Sequence, residues 1–165
     1  MTIKLKGGKE LEQFLRAFPK RVQNGAVRSA LRAGANVIRD EAKARVPSES
    51  GKLRKAIKTG SARVHPDGSA SIHVRLKGEH SYLGMFHEYG VKPHIIPGKK
   101  GLIKIGDEVV SGPIEHPGIS PRPFMRPAAD TKADEAVKAF ADQIRNYLKA
   151  KTGFTGPTVD IEMDD

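Results

Sequence analysis

Cysteine and tryptophan are absent from this 165-residue chain, and only 5% of its residues are aromatic. Without cysteine there can be no disulfide, no thiolate nucleophile and no cysteine-ligated metal, a composition that fits a reducing compartment. No stretch approaches the roughly 18 apolar residues of a membrane span. The opening MTIKLKGGKE has no apolar run, so neither a membrane partner nor a secretory signal is expected. Three Tyr and six Phe are too few for the stacking platforms that bind single-stranded nucleic acid. Acids are also scarce: 19 Asp and Glu stand against 29 Lys and Arg, a net charge of +10.

The charge is unevenly spread. Residues 1–58 hold 15 Lys and Arg against 5 Asp and Glu, whereas residues 152–165 hold four acids and no base, so the body without that tail carries +14. Such a body attracts polyanions or acidic protein surfaces through salt-sensitive steering.

Apolar periodicity orders the elements. Leu11, Phe14, Leu15 and Phe18 lie at helical spacing, and Pro19 suits the first position of a second helix. That helix is expected over 19–45, ending before Val46-Pro47 because a residue preceding proline avoids helical geometry. On it, Arg21, Arg28, Arg32, Arg39 and Lys43 fall on one side, a basic stripe about 33 Å long at 1.5 Å per residue. Val22, Ala26, Ala30, Ala33, Gly34 and Val37 fall on the other. A solvated polar face is the plain reading. The single sign of these charges, without interleaved acids for i,i+4 pairing, points instead to DNA or an acidic partner.

Residues 46–57, VPSESGKLRKAI, form a turn and begin a new element. Strands are expected over 56–64 and 69–76 around the turn signal HPDG, giving a β-hairpin. YLGMFHEYG, residues 82–90, is a third apolar element, strand or short helix. Residues 91–122 are rich in Pro and Gly, with strand-like LIKI (102–105) and EVV (108–110), and read as a flap. A last helix is expected from Pro127 to Lys151, and the tail TGFTGPTVDIEMDD lacks periodicity. The expected fold class is α+β: a small antiparallel sheet packed against a long N-terminal helix and a C-terminal helix, with a Pro/Gly-rich flap. The expected organisation is one domain over 1–151 with the 91–122 insertion, then an acidic flexible tail over 152–165.

Catalytic signatures are missing. His73, His80, His87 and His94 recur every seven residues, but Gly78, Gly84, Gly90 and Pro93 interrupt any helix that would align them. HEYGV lacks the second histidine of a zincin motif, and no Walker A, strand-anchored GxGxxG or GxSxG is present. Glu88, a single carboxylate in an apolar patch, reads as a salt-bridge or interface residue. No enzyme, cofactor or metal is expected; a hydrolase built on His87 and Glu88 ranks last.

Three landmarks stand in order: VPSESGKLRKAI after a long helix, HEYG after a hairpin, and HPGISPRPFMRPA before the last helix. Their order resembles the phage tail-component family of lambda-like siphophages, the tail-completion or head–tail joining proteins of the neck. Pro47, Gly51, Leu53, Arg54 and Ile57 match the family's turn motif, with Ser50 where Thr is common. Glu88, Tyr89 and Gly90 match its EfG, and Pro123, Phe124, Met125, Arg126, Pro127 and Ala128 its PFmrPA. The resemblance covers about residues 9–150 and departs from the short members at the 91–122 insertion.

It implies a structural virion protein assembled in the host cytoplasm, a homo-oligomeric ring (a hexamer by analogy with tail-end rings) that completes the tail end and joins head to tail. The implied partners are its own copies, the adjoining head-completion or stopper proteins, and tail terminator or tail tube proteins, with non-specific contact to packaged DNA. The stiff proline strap suits a clasp in which Pro123, Phe124, Met125 and Arg126, with Glu88 and Tyr89, form an interface or staple the last helix to its own sheet. The alternative is a stand-alone basic nucleic-acid-binding protein.

Overall fold

A computed structural model describes residues 12–13, 15–47, 51–97, 103–105, 107–110 and 113–153. The fold is α+β. Helix α1 spans Lys20–Arg45, α2 Lys52–Ala56, α3 Tyr82–Tyr89 and α4 Met125–Thr152. Among the described residues no helix is long and apolar enough to cross a membrane. Of the first expected helix, residues 12–13 and 15–16 are helical, while Leu11 and Phe14 lie outside the described residues. Pro19 is the N-cap of α1, one position earlier than expected, where its missing N–H costs nothing.

The α1–α4 pair is the frame, and small residues set its spacing. Ala26 and Ala30 are fully buried against Ile144 and Leu148, with Phe18, Val22, Phe140 and Tyr147 packed around them. At Gly34 an added Cβ would sit 2.7 Å from the carbonyl oxygen of Ala136, so the helix backbones nearly touch there. A second cluster closes the other end: Ala42 and Val46 of the α1 terminus, Leu53, Ile57, Phe124 and Ala128. The turn motif builds this end. Gly51, at φ 70°, starts α2 in a left-handed conformation, and Leu53 and Ile57 drop into the core while Arg54 stays exposed.

The hairpin forms as expected, but in two ladders. Strand β1 (Ile57–Thr59) pairs antiparallel with β4 (Val74–Leu76), and β2 (Arg63–Val64) with β3 (Ala70–Ser71), the His65 N–H donating to the Ser69 carbonyl across the turn. The expected single sheet is therefore a set of two-stranded ladders. The Pro/Gly-rich stretch holds two more. LIKI and EVV contribute β6 (Ile103–Ile105) and β7 (Glu108–Val110), which pair with each other. Beyond them β5 (His94–Ile96) pairs with β8 (Ile114–His116), and a bridge joins Val91 to Ile119. The four regularly spaced histidines fall on separate stretches: His87 on α3, His94 on β5, His73 and His80 in the intervening connections.

The Gly34 contact decides a substitution whose local terms oppose. Alanine in mid-helix gains about 1 kcal/mol of propensity over glycine. Here its Cβ meets backbone rather than a yielding side chain, and forcing the helices apart costs about 1–3 kcal/mol. Gly34→Ala is expected to lower the urea unfolding midpoint, a net loss of up to about 2 kcal/mol.

Candidate interface around the Glu88 clamp

Helix α3 is short, and its two sides differ in kind. Inward, Leu83 packs on the core that contains Phe124, and Gly84 lies so close to Leu76 that a Cβ would sit 2.0 Å from its Cδ1. Gly90, at φ 72°, ends the helix, its N–H donating to the Phe86 carbonyl. Outward, Tyr82, Met85, Phe86 and Tyr89 stand at i, i+3, i+4 and i+7, on one face of a helix. They are 54%, 62%, 40% and 73% exposed. Tyr82 and Phe86 pack edge to face with ring centroids 6.0 Å apart. Ile119, bridged to Val91 just past the helix, is also exposed.

Glu88 reaches the other way, to the start of α4. Its Oε2 accepts the N–H groups of Phe124 at 2.9 Å and Met125 at 3.0 Å, and its Oε1 accepts that of Arg126 at 3.1 Å. A helix start leaves its first N–H groups without intrahelical partners and carries positive dipole charge. Helix α4 has no cap from its own N-cap side chain and no acid in its first turn. Pro127, the next residue, has no N–H to satisfy. One carboxylate borrowed from α3 thus serves the open donors of the N-cap and first two helical residues. Burial alone would raise the Glu88 pKa. The N–H bonds from Met125, Phe124 and Arg126, with the charge of Arg126, outweigh it and hold the carboxyl below its ordinary value.

The proline strap is stitched to the same place. The Arg122 N–H donates to the His87 carbonyl at 2.6 Å, and Val91 and Ile119 exchange two backbone bonds. The motifs HEYG and PFMRPA, separate in sequence, are two sides of one joint.

Of the strap's two roles, Phe124 fills the intramolecular one. It is 0% exposed, inside its own core, which removes it from any partner surface. Met125 is half-buried against that core, while Pro123 and Arg126 are exposed. Tyr89 is the most exposed large apolar side chain of the α3 face. Tyr82, Met85, Phe86 and Ile119 belong to the same surface and were not singled out by sequence reasoning; the signal was their helical spacing, hidden while the segment could equally be a strand.

The basic stripe divides. Arg21, Arg28 and Arg32 are exposed and make no ion pair among the described residues. Arg39 is held by Asp40 through two 2.8 Å hydrogen bonds and also donates to Asn36 Oδ1 at 2.7 Å. Those bonds to Asp40, ahead of burial, raise the Arg39 pKa and lower that of Asp40. Glu41 pairs with Arg45 at 2.6 Å. Lys43 is half-buried. The expectation of a stripe free of acids therefore holds for its N-terminal half only.

Residues 9–90 match the family model HK97-gp10_like, described as "Bacteriophage HK97-gp10, putative tail-component". Over that stretch the chain belongs to a phage tail-component family. It is a structural component of the tail. No curated protein and no solved structure matches the chain. The family match takes in the turn motif and HEYG and stops at Gly90. PFMRPA lies beyond it, yet Glu88 of the matched part is the residue that holds PFMRPA in place.

The clamp has a pH signature. A carboxyl held low in the folded state contributes stability that is complete above its ordinary pKa and is lost as pH falls through the depressed value. Glu88→Gln is expected to cost about 1–2 kcal/mol at neutral pH, since it removes the charge and an acceptor from a helix start. The gap between wild-type and variant urea midpoints should shrink in acid as the wild-type carboxyl protonates.

Proposed function

We propose that this tail component is a non-enzymatic protein of the virion neck, a homo-oligomeric ring, hexameric by analogy with tail-end rings, that completes the tail end and joins head to tail around the DNA path. The observation that carries the reading is the outward face of α3. Tyr, Phe and Met on a rigid helix are the residues that anchor protein interfaces. The face also has no charge, which matters because each body carries +14 outside its tail. Two like-charged copies meet at least cost over an uncharged apolar patch. The occupant of the face is therefore a neighbouring copy, with Arg126 and Pro123 at the rim.

Above and below such a ring would sit head-completion or stopper proteins and the tail terminator or tail tube. Arg21, Arg28 and Arg32 would repeat around it, facing either DNA phosphates without reading sequence or an acidic ring next door. The same three free arginines favour a second reading, a stand-alone duplex-binding protein whose affinity falls steeply with salt.

Light scattering distinguishes the two. The purified protein is expected to give a discrete oligomer at low and high salt without DNA. Replacing Met85 and Tyr89 together by Asp is expected to reduce it to a monomer while stability stays within about 1 kcal/mol per site, both side chains being outside the core. A wild-type monomer that binds duplex DNA and releases it with salt would favour the second reading.

A further inference from the structure

Around strand β4, His73, Arg75 and Lys77 stand at i, i+2 and i+4, on one side of the hairpin ladder. Ile72, Val74 and Leu76 alternate with them and are partly buried, Val74 and Leu76 against the core. Lys58 lies directly opposite Arg75 in the register. The pairing runs on past both ends of β4, the Lys77 N–H donating to the Ala56 carbonyl and the Gly60 N–H to that of His73, each at 2.8 Å. Lys58, His73, Arg75 and Lys77 are all exposed, and none makes an ion pair among the described residues.

The acids nearest in sequence are kept out of this row. Asp67 sits in the turn, where its carboxylate accepts the N–H and the hydroxyl of Ser69. Gly78, at φ 116°, turns the chain out of the ladder before Glu79. Like charges directly opposed weaken a ladder, so Lys58 and Arg75 lower the hairpin's own stability. A polyanion laid across them would relieve that repulsion.

One amide joins the row to the free arginines of α1. Asn36 Oδ1 accepts the Thr59 hydroxyl at 2.9 Å and the Arg39 guanidinium at 2.7 Å. Thr59 follows Lys58 on β1, and Asn36 lies one helical turn past Arg32. From there Arg32, Arg28 and Arg21 extend over about 17 Å of α1 at 1.5 Å per residue. His73 to Lys77 adds about 13 Å of strand at 3.3 Å per residue.

The side chains of this surface separate a nucleic acid from an acidic protein. Protein interfaces are anchored by aromatic and large apolar residues at a desolvated centre. Among the described residues the exposed large hydrophobics all lie between Tyr82 and Ile119, and residues 20–81 contain no Phe, Tyr or Trp. A partner here is held by charge alone. Duplex DNA, with one negative charge per about 1.7 Å of axis, gains most from such a surface. The same lack of aromatics leaves nothing on which single-stranded bases could stack. We infer that Lys58, Arg75 and Lys77 of the hairpin join Arg28 and Arg32 of α1 in one surface that binds the phosphate backbone of duplex DNA without reading its sequence. Binding there rests on the reading of the free arginines as DNA-facing, extends it to the hairpin, and does not depend on whether copies form a ring.

The test is the fluorescence anisotropy of a labelled short duplex titrated with the full-length protein over a range of salt. The logarithm of the affinity falls against that of the salt concentration by about 0.9 per phosphate neutralised. Lys58→Gln combined with Arg75→Gln is expected to make this slope shallower by about 2, on two unrelated duplex sequences alike. Lys138→Gln with Lys149→Gln removes as much charge from exposed positions on α4 and is expected to change it far less. Equal changes for the two pairs, or an unchanged slope for the hairpin pair, would overturn the hairpin's role. Arg28→Gln with Arg32→Gln then tells whether the helix stripe binds DNA by itself. A wild type that binds no duplex at low salt would sink both. Poly-L-glutamate is the competing probe: a hairpin variant that loses affinity for it but not for the duplex marks an acidic protein as the partner and overturns DNA. Because the hairpin pair removes a repulsion, its urea midpoint should be no lower than the wild type's. Lys77→Gln, outside that opposed pair, gives an independent reading, a slope shallower by about 1.

Discussion

The joint between α3 and α4 rests on one carboxylate. A 28-residue helix that begins at Met125 behind a proline-rich strap has no capping side chain of its own. Left alone, its first donors would have to be met by water, at the cost of fraying the turn that carries Phe124 into the core. Glu88 supplies the acceptor from 36–38 residues away. Because both oxygens are used, the bonds fix the direction of α3 as well as the start of α4. Phe124, fully buried, then has a single seat, and with it Leu83 and Met125 pack on the cluster of Ile57, Leu53 and Val46. A chain closure of this span is unfavourable until the contacts form, so the clamp and the buried Phe124 stabilise each other.

The frame beneath works on a different principle. The α1–α4 contact is made from Ala26, Ala30 and Gly34, residues that contribute little apolar area each but let the helix backbones approach. The larger apolar groups sit at the two ends, Ile57 and Phe124 at one, Ile144 and Leu148 at the other. Between them, at Leu31, Ile38, Val137 and Phe140, apolar side chains stay partly open. Tight at the ends and open in the middle, the frame leaves its remaining apolar area where an added element could reach it.

How much of this was legible in the sequence depended on range. The helices over Lys20–Arg45 and Met125–Thr152 came from sustained apolar periodicity, and the hairpin from alternation around HPDG, all local signals. The α3 segment was ambiguous because eight residues fit either period. The pairing of His94–Ile96 with Ile114–His116 was not legible: each piece is three residues long, and what defines them is a partner some 20 residues away. Glu88 was singled out as a lone carboxylate in an apolar patch and read as a salt-bridge or interface residue. Its partners are backbone N–H groups, which no side-chain pattern reports. Arg39 failed for the opposite reason, since its acid is the very next residue, a spacing that ordinary helix-pair reasoning excludes. Phe124 read equally well as anchor or core, and only its complete burial separates the two.

The clamp also bears on the proposed ring. Interface anchors add affinity in proportion to what they do not lose in freedom on docking. A free eight-residue helix is too short to hold its shape in water. Here α3 is fixed at three points: Gly84 against Leu76, Glu88 on the start of α4, and the His87 carbonyl on the strap. Tyr82, Met85, Phe86 and Tyr89 are therefore presented on a platform that is already ordered before a neighbour arrives. Their contact must exceed the repulsion between two bodies of like charge, and that repulsion is screened within about 8 Å at physiological salt. Short-range apolar contact and long-range charge thus act on different length scales. Copies of this chain would repel at a distance and hold only when α3 is correctly seated, which favours an assembly of defined geometry over indiscriminate association.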